Sequence, residues 1–480
     1  MQKFRIAENR MFHADGHDFL FLTGSSAIFE TDPDIKDILE QGFRAGELSR
    51  EEFFSRMSGS DEENREFFEE IVNRGVLVKA NSEAFARTTG TEQGAIPLKT
   101  LVLHVTEACN LGCRYCYHSQ NGHAPGKTGR TMSSEVAQQA IDFLFEHSGS
   151  LEEVILVFFG GEPLMNFNLI VFAVKYARDK ALEKGKKVSF AITTNGTLLT
   201  DKAIRFLHEN KIGITVSIDG FEEAHDRFRR FPDGTPSYQV ILPRIKNLLR
   251  LEREKPVVAR VTVAGDSGDV PEILDHLLDL GFSEAGFAPV TTPDTSYQLN
   301  ADGMNKLLDQ FGNLSDKFLE IARQGDFFGF TNLIDLLVVL HEGEVKNYPC
   351  GAGLGLFAAD PEGRLYICQR LTGESSCYMG DIFKGFDQGK IGTFREQAEI
   401  GQRNLCRTCW VRTICAGGCY HEAMVREGGL TKSNLHYCDW IKTWVDMGLA
   451  VYARLTLECP EYLEKLSMLR GHAPLFSQVI

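Results

Sequence analysis

A chain of 480 residues, 43% hydrophobic and 24% charged, can bury several cores, so two to four domains of an ordinary globular protein are expected. The formal net charge of −15 argues against the basic surface that nucleic-acid binding favours, and no apolar run approaches the roughly 20 residues of a membrane span. The opening stretch, MQKFRIAENRMFHADGHDF, is too polar for the apolar core of a secretion signal, so a cytoplasmic location with no membrane or nucleic-acid partner is expected.

Residues 1–80 read as one small unit. DFLFLTGSSAIFETD (18–32) has the form of strand, turn and strand. Three amphipathic stretches follow, PDIKDILEQG, SREEFFSRM and ENREFFEEIVNRGVLVK, the last passing Gly75 into a short apolar strand. A hairpin with three short helices is similar to a winged-helix module. Residues 81–98 are polar and aperiodic, a linker.

Between residues 99 and 300 apolar runs alternate with helical stretches. The expected strands are 101–106, 154–159, 188–194, 213–219, 257–263 and 285–290. The helices between them are SSEVAQQAIDFLFEH, NLIVFAVKYARDKALEKG, DKAIRFLHEN, ILPRIKNLLRLERE and VPEILDHLLDLG. This rhythm predicts an α/β fold, a parallel sheet with helical crossovers, and six units give a partial (βα)6 barrel rather than a closed eight. In such barrels chemistry sits on the loops that follow the strands. A helical connection (301–345) precedes a Gly- and Cys-rich region (346–440) of little periodicity, whose order would come from bound metal, and residues 441–480 end the chain with a helical segment.

The twelve cysteines follow this division: none precedes Cys109, three lie at 109, 113 and 116, and nine follow residue 349. In a reducing compartment such clusters are metal ligands or catalytic thiols before they are disulfides. TEACNLGCRYCYH places Cys109, Cys113 and Cys116 as C-x3-C-x2-C directly after the first barrel strand. Three thiolates in one loop can hold three irons of a 4Fe–4S cube and leave the fourth open for the amino and carboxylate groups of a small molecule. Tyr115, just before the third cysteine, can pack on a nucleobase. A zinc knuckle with His118 as fourth ligand is the alternative on these residues alone.

That loop, with its aromatic and its position after strand one, resembles the radical S-adenosylmethionine superfamily. Gly160, Gly161, Glu162 and Pro163 follow strand two as the family's GGEP loop, and the resemblance implies that Glu162 meets the methionine ammonium of S-adenosylmethionine while the glycines let backbone approach closely. TTNGT (193–197) follows strand three and SIDG (217–220) strand four. Asn195, Ser217 and Asp219 are thereby implied to face the cofactor, the last two near its ribose. HDRFR (225–229) matches H-D-x-x-R and makes Arg229 a candidate for a carboxylate contact.

Cys406, Cys409, Cys415 and Cys419 run as C-x2-C-x5-C-x3-C, with Cys438 beyond, and Cys350 and Cys368 bracket Gly363 upstream. This resembles the seven-cysteine SPASM extension of peptide-modifying radical enzymes. The resemblance implies two auxiliary 4Fe–4S clusters, one on Cys406, Cys409, Cys415 and Cys438 and the other on Cys350, Cys368 and Cys419. Cys377 is either the fourth ligand of the second or leaves it an open iron, which could take a substrate thiolate. A pair of zinc ribbons is the alternative, and Cys459 reads as structural.

Sulfatase-maturing relatives carry an aspartate after the second upstream cysteine, where this chain has Gln369. YPCGAGLGLF, GRLYICQR and CRTCWVRTICAGGCYHEA instead look like the thioether-forming maturases, nearest the maturation protein of the quinohemoprotein amine dehydrogenase small subunit, which joins cysteine sulfur to carbons of Asp or Glu. The implied activity is reductive cleavage of S-adenosylmethionine to a 5′-deoxyadenosyl radical, hydrogen abstraction from a ribosomally made peptide and closure of a Cys-sulfur-to-carbon bond. The implied partners are a leader-bearing peptide, bound by strand addition to the N-terminal module, and a low-potential electron donor such as flavodoxin or ferredoxin. The same clusters would serve carbon–carbon crosslinking or epimerisation. A non-catalytic iron–sulfur or zinc scaffold would leave Glu162, Asn195 and Ser217 without purpose.

Overall fold

A computed structural model describes residues 2–31, 36, 46–55, 57, 60–81, 96–117, 129–265 and 268–471. The helix expected at 33–42, most of the linker, and His118 lie outside the described residues.

The N-terminal region holds two small antiparallel sheets. Strand β1 (Lys3–Ile6) begins the first, while β2 (Asn9–Ala14), β3 (His17–Leu22) and β4 (Ala27–Thr31) form the second in that order. The predicted strand–turn–strand is β3 and β4. β5 (Leu48–Ser49) and β6 (Leu77–Lys79) flank β1. Helices Arg50–Phe54 and Asp61–Asn73 begin at Ser49 and Ser60, each in a reciprocal capping box with the glutamate three residues on. They bury Phe53, Phe68 and Ile71 against Leu20, Leu22, Leu48 and Leu77. The second sheet also rests on the long C-terminal helix, where Phe19 and Ala14 meet Ala453 and Arg10 reaches Asp446 at 3.0 Å.

The centre is the expected run of parallel strands: β7 (Thr100–Thr106), β8 (Glu153–Gly160), β9 (Lys187–Thr194), β10 (Gly213–Ser217), β11 (Val257–Val263) and β12 (Glu284–Pro289), hydrogen-bonded in chain order. Each pair is joined by at least one crossover helix. Alternate side chains such as Val257, Ala259, Val261 and Val263 bury outward against the helices, while Val258, Arg260 and Thr262 line the hollow. β7 does not close onto β12. Its free edge takes β13 (Leu356–Ala359) in parallel, and β14 (Arg364–Tyr366), β15 (Tyr378–Asp381) and β16 (Gly385–Phe386) continue as an antiparallel meander, giving ten strands in one sheet. The Cys-rich region thus has more regular structure than its sequence suggested, because strands of two to four residues are too short to show a period.

Helices Ala301–Arg323, Thr331–His341, Leu435–Glu458 and Pro460–Gly471 pack together around Phe311, Phe330, Trp440 and Trp444. No described helix is long and apolar enough to cross a membrane.

Candidate active site

The cysteine loop leaves the end of β7 and lies directly over the end of β8. Gly161 N donates to Thr106 O and Glu162 N to Ala108 O, both at 2.9 Å. A Cβ on Gly160, whose φ is +135°, would stand 2.0 Å from Thr106 O, and one on Gly161 would stand 2.2 Å from Ala108 O. The close approach foreseen for these glycines is therefore made by the cysteine loop itself. From the other side Gly112 N donates to Arg230 O (2.7 Å) and Arg114 N to Phe228 O (3.2 Å), so the H-D-x-x-R segment holds the loop too.

Glu162 has no exposed surface. Its Oε1 accepts from Leu164 N (3.0 Å) and Thr194 Oγ1 (2.8 Å), and Oε2 from Asn195 N (2.7 Å). Burial pushes its pKa up to about 7 against the pull of those three donors. Asn195 ties the third strand's turn to the cysteines: its Nδ2 donates to Asn110 Oδ1 at 3.0 Å and points to Cys109 Sγ at 3.8 Å.

Asp219, Tyr115 and Arg229 form one buried unit. Asp219 Oδ2 accepts from Tyr115 OH (2.5 Å) and Arg229 Nε (2.9 Å), while Oδ1 accepts from Thr262 N (3.0 Å). The Arg229 guanidinium lies 5.4 Å from the Tyr115 ring centre. His225 was not singled out from the sequence. Its Nδ1 accepts from Asp219 N (3.3 Å), and its Nε2 meets Ser237 Oγ (3.0 Å), whose own proton goes to Arg229 O (2.7 Å). That chain of donors makes the imidazole neutral with its proton on Nε2, and burial pushes its pKa down to about 3. The only signal for it was the H-D pair of HDRFR.

Ser217 ends β10 inside a lumen of about 700 Å³ that runs the length of the barrel and is lined also by Cys109, Cys113, Cys116, Arg260 and Arg370. Burial pushes the Cys109 thiol up to about 12 and Cys113 higher still. Thiols so placed stay protonated at neutral pH unless a cationic centre shares the site. Three thiols on one lumen fit three corners of a cubane. Among the described residues no group of three or more Cys, His, Asp or Glu side chains converges as a single metal ion would require.

The remaining cysteines divide into two groups. Cys415 lies within electrostatic reach of Cys406, Cys409 and Cys438, and Cys438 within reach of Cys406 and Cys409. Cys350, Cys368 and Cys419 form the second group. Arg370 N donates to Cys368 Sγ at 3.4 Å and Arg370 Nη1 points to Cys419 Sγ at 3.8 Å. Among the described residues Cys377 does not join that trio: its thiol lies 3.7 Å from Ser376 Oγ, near Glu374. Among the described residues Cys459 joins neither cysteine group and lies near Glu458, Glu461 and Arg323. Burial again pushes Cys350 and Cys415 up to about 12. Tyr117, which no sequence pattern marked, is half-buried within reach of both Cys116 and Cys368, with the Arg370 guanidinium 5.6 Å from its ring centre.

A partial parallel barrel whose first loop offers three thiols to a lumen defines an iron–sulfur enzyme of the radical type. The model of the Radical SAM superfamily matches residues 103–280. An uncharacterized protein of Methanocaldococcus jannaschii is 30% identical over 264 residues, 54% of this chain and 87% of that protein. The serine-type anaerobic sulfatase-maturating enzyme of Klebsiella aerogenes is 26% identical over 345 residues, 68% of this chain and 80% of that enzyme. The solved structure of histidine-tagged anSMEcpe with bound AdoMet shares the fold at a TM-score of 0.67 and 21% identity, covering 79% of this chain and all of the other. The chain belongs to the radical SAM superfamily. Its cofactors are a 4Fe–4S cluster and S-adenosylmethionine.

Proposed function

We propose that this enzyme matures a ribosomally made peptide or small protein by forming thioether bonds from a cysteine sulfur to a carbon, as the maturation protein of the quinohemoprotein amine dehydrogenase small subunit does. The observation that carries this reading is the succession of thiol groups: the radical loop, then Cys350, Cys368 and Cys419 across Tyr117 and Arg370, then Cys406, Cys409, Cys415 and Cys438. Closing a crosslink after hydrogen abstraction leaves one electron to be taken up, and the two further groups would supply its acceptor. The Klebsiella aerogenes relative matures a sulfatase, which supports a protein or peptide substrate here.

When bound, S-adenosylmethionine and the first cluster supply a 5′-deoxyadenosyl radical that removes a substrate hydrogen. The chain's own residues bind, orient and shield. Glu162, unsolvated and aimed by three donors, is the partner for the methionine ammonium, and its ionised form is favoured once that cation arrives. Ser217 and the Asp219–Arg229–Tyr115 unit would border the ribose and carboxylate. Cys350, Cys368 and Cys419 would hold one auxiliary cluster with a corner to spare, since Cys377 stands with Ser376, and that corner is where a substrate thiolate would bind. Cys406, Cys409, Cys415 and Cys438 would hold the other. The sheet β5–β1–β6 with its two capped helices is the proposed leader site.

The test is co-expression with candidate cysteine-containing precursor peptides, followed by mass and fragmentation analysis. Loss of two hydrogens per crosslink, with the former thiols resistant to alkylation, is the expected product. Epimerised or carbon–carbon-linked peptide with free thiols would overturn the thioether reading and leave the radical assignment intact.

A further inference from the structure

The group formed by Cys406, Cys409, Cys415 and Cys438 lies beside exposed apolar side chains. Cys409 and Cys438 are part-exposed, and two large apolar side chains beside the group, Leu405 and Leu435, are each 61% exposed. Leu405 adjoins Cys406. Leu435 opens the long C-terminal helix two residues after Ser433, whose hydroxyl is 3.5 Å from Cys406 Sγ. Isolated exposed leucines need no explanation, but two flanking one part-exposed thiol group make an apolar centre.

The charge around that centre opposes that of the whole chain. Residues 403–443 carry six Lys and Arg against three Asp and Glu, while the chain carries −15. Arg407 and Lys432 are exposed at its rim. Lys442, held by Asp439 at 3.1 Å, lies within electrostatic reach of Cys409 and Cys438. A small apolar contact flanked by the exposed cations Arg407 and Lys432, on a protein that is acidic as a whole, attracts an acidic partner there. Small, weak, charge-steered contacts of this kind are typical of electron-transfer encounters.

We propose that the face around Leu405, Leu435, Arg407 and Lys432 is the docking site for an acidic one-electron carrier protein, which exchanges electrons with the enzyme through the Cys406–Cys409–Cys415–Cys438 group. No bond forms or breaks at this interface: the reduced carrier gives up one electron and the enzyme takes it, or the reverse. The placing accords with the interior arrangement. The Cys350–Cys368–Cys419 group faces the lumen through Arg370 and Tyr117, and Tyr437 lies within reach of both Cys419 and Cys415, between the inner group and the outer one. This inference rests on the redox reading of the outer group and not on the bond formed in the substrate.

The experiment uses the reconstituted full-length enzyme and an acidic flavodoxin as probe. Affinity is measured by titration over a range of ionic strengths, and S-adenosylmethionine cleavage is driven in parallel by flavodoxin hydroquinone or by dithionite. Arg407→Glu/Lys432→Glu is expected to weaken flavodoxin binding tenfold or more and to slow flavodoxin-driven cleavage, leaving dithionite-driven cleavage within twofold of the parent. Lys202→Glu/Arg205→Glu, on the outer barrel helix Asp201–Glu209, is expected to change neither. Leu435→Ser, which alters no charge, is expected to weaken binding threefold or more. Parent-like affinity in the Arg407/Lys432 and Leu435 variants, or equal weakening by the Lys202/Arg205 pair, would overturn the docking site. Absence of cleavage with dithionite in the parent enzyme would strike the radical assignment instead, so the two failures are distinguishable.

Discussion

Replacing Gly161 by alanine probes the contact on which the cysteine loop depends. The new Cβ would lie 2.2 Å from Ala108 O and 2.6 Å from Glu107 O, where ordinary contact begins near 3.4 Å. Both neighbours are backbone, so the loop must retreat by roughly 1 Å. Overpacking of this kind costs about 1–3 kcal/mol of stability. The larger effect is on chemistry: Cys109 is one residue from the displaced carbonyl, and a misplacement of about 1 Å in a reacting constellation lowers rates about a hundredfold. Gly161→Ala should therefore fold, hold the iron of the radical site less fully, and cleave S-adenosylmethionine about a hundredfold more slowly in a dithionite-driven assay. Gly185→Ala is the matched control, since Gly185 ends helix Phe167–Lys184 in the left-handed region with nothing within 4 Å of its new Cβ. It should cost about 1 kcal/mol of stability and leave cleavage unchanged. Parent-like iron content and rate in Gly161→Ala would refute the argument that the GGEP turn positions the cysteine loop.

Cys113→Ala should abolish cofactor cleavage while retaining about eight irons per chain, checked by product chromatography and iron assay. Cys406→Ala should keep measurable cleavage but lose crosslinked product by mass spectrometry, and full crosslinking would count against the outer group's role. Glu162→Gln would set an amide NH2 against either the Leu164 and Thr194 donors or the Asn195 donor and remove the charge opposite the ammonium. Charge-assisted bonds contribute about 1.5–3 kcal/mol, so S-adenosylmethionine affinity should fall about ten- to hundredfold in equilibrium binding. Cys377→Ala should retain product and iron, because its thiol lies with Ser376, whereas Cys419→Ala should lose both the inner auxiliary iron and the product.

The barrel was legible because its strands are continuous runs of Val, Ile, Leu and Phe between amphipathic helices, and all six fall within one or two residues of where the pattern put them. The division of the later cysteines into two sets came from the family resemblance rather than from spacing, which runs Cys406 to Cys419 as one string, and the structure brings the members of each set within electrostatic reach of one another. Strand β13 was not legible: LFAA is four residues long, and its pairing with β7 depends on a partner some 250 residues earlier in the chain. β1 and β2 hid in a polar opening segment whose strands are only partly buried. Tyr117 and His225 were invisible for a related reason. Each matters through what it lies between, Cys116 and Cys368 for one and Asp219 and Ser237 for the other, and one-dimensional spacing carries no such information. The glycines of the GGEP turn were expected to let backbone approach closely beside the cofactor, and the fold places the backbone of Thr106 and Ala108 against them.

The central claim, a radical enzyme with two further redox groups, is tested most directly by iron, acid-labile sulfide and zinc per chain after anaerobic purification and reconstitution. The account predicts about twelve irons with matching sulfide and no zinc, three cubanes in all. About four irons accompanied by zinc would leave the radical loop standing and contradict both auxiliary sites, and with them the thioether proposal and the docking face.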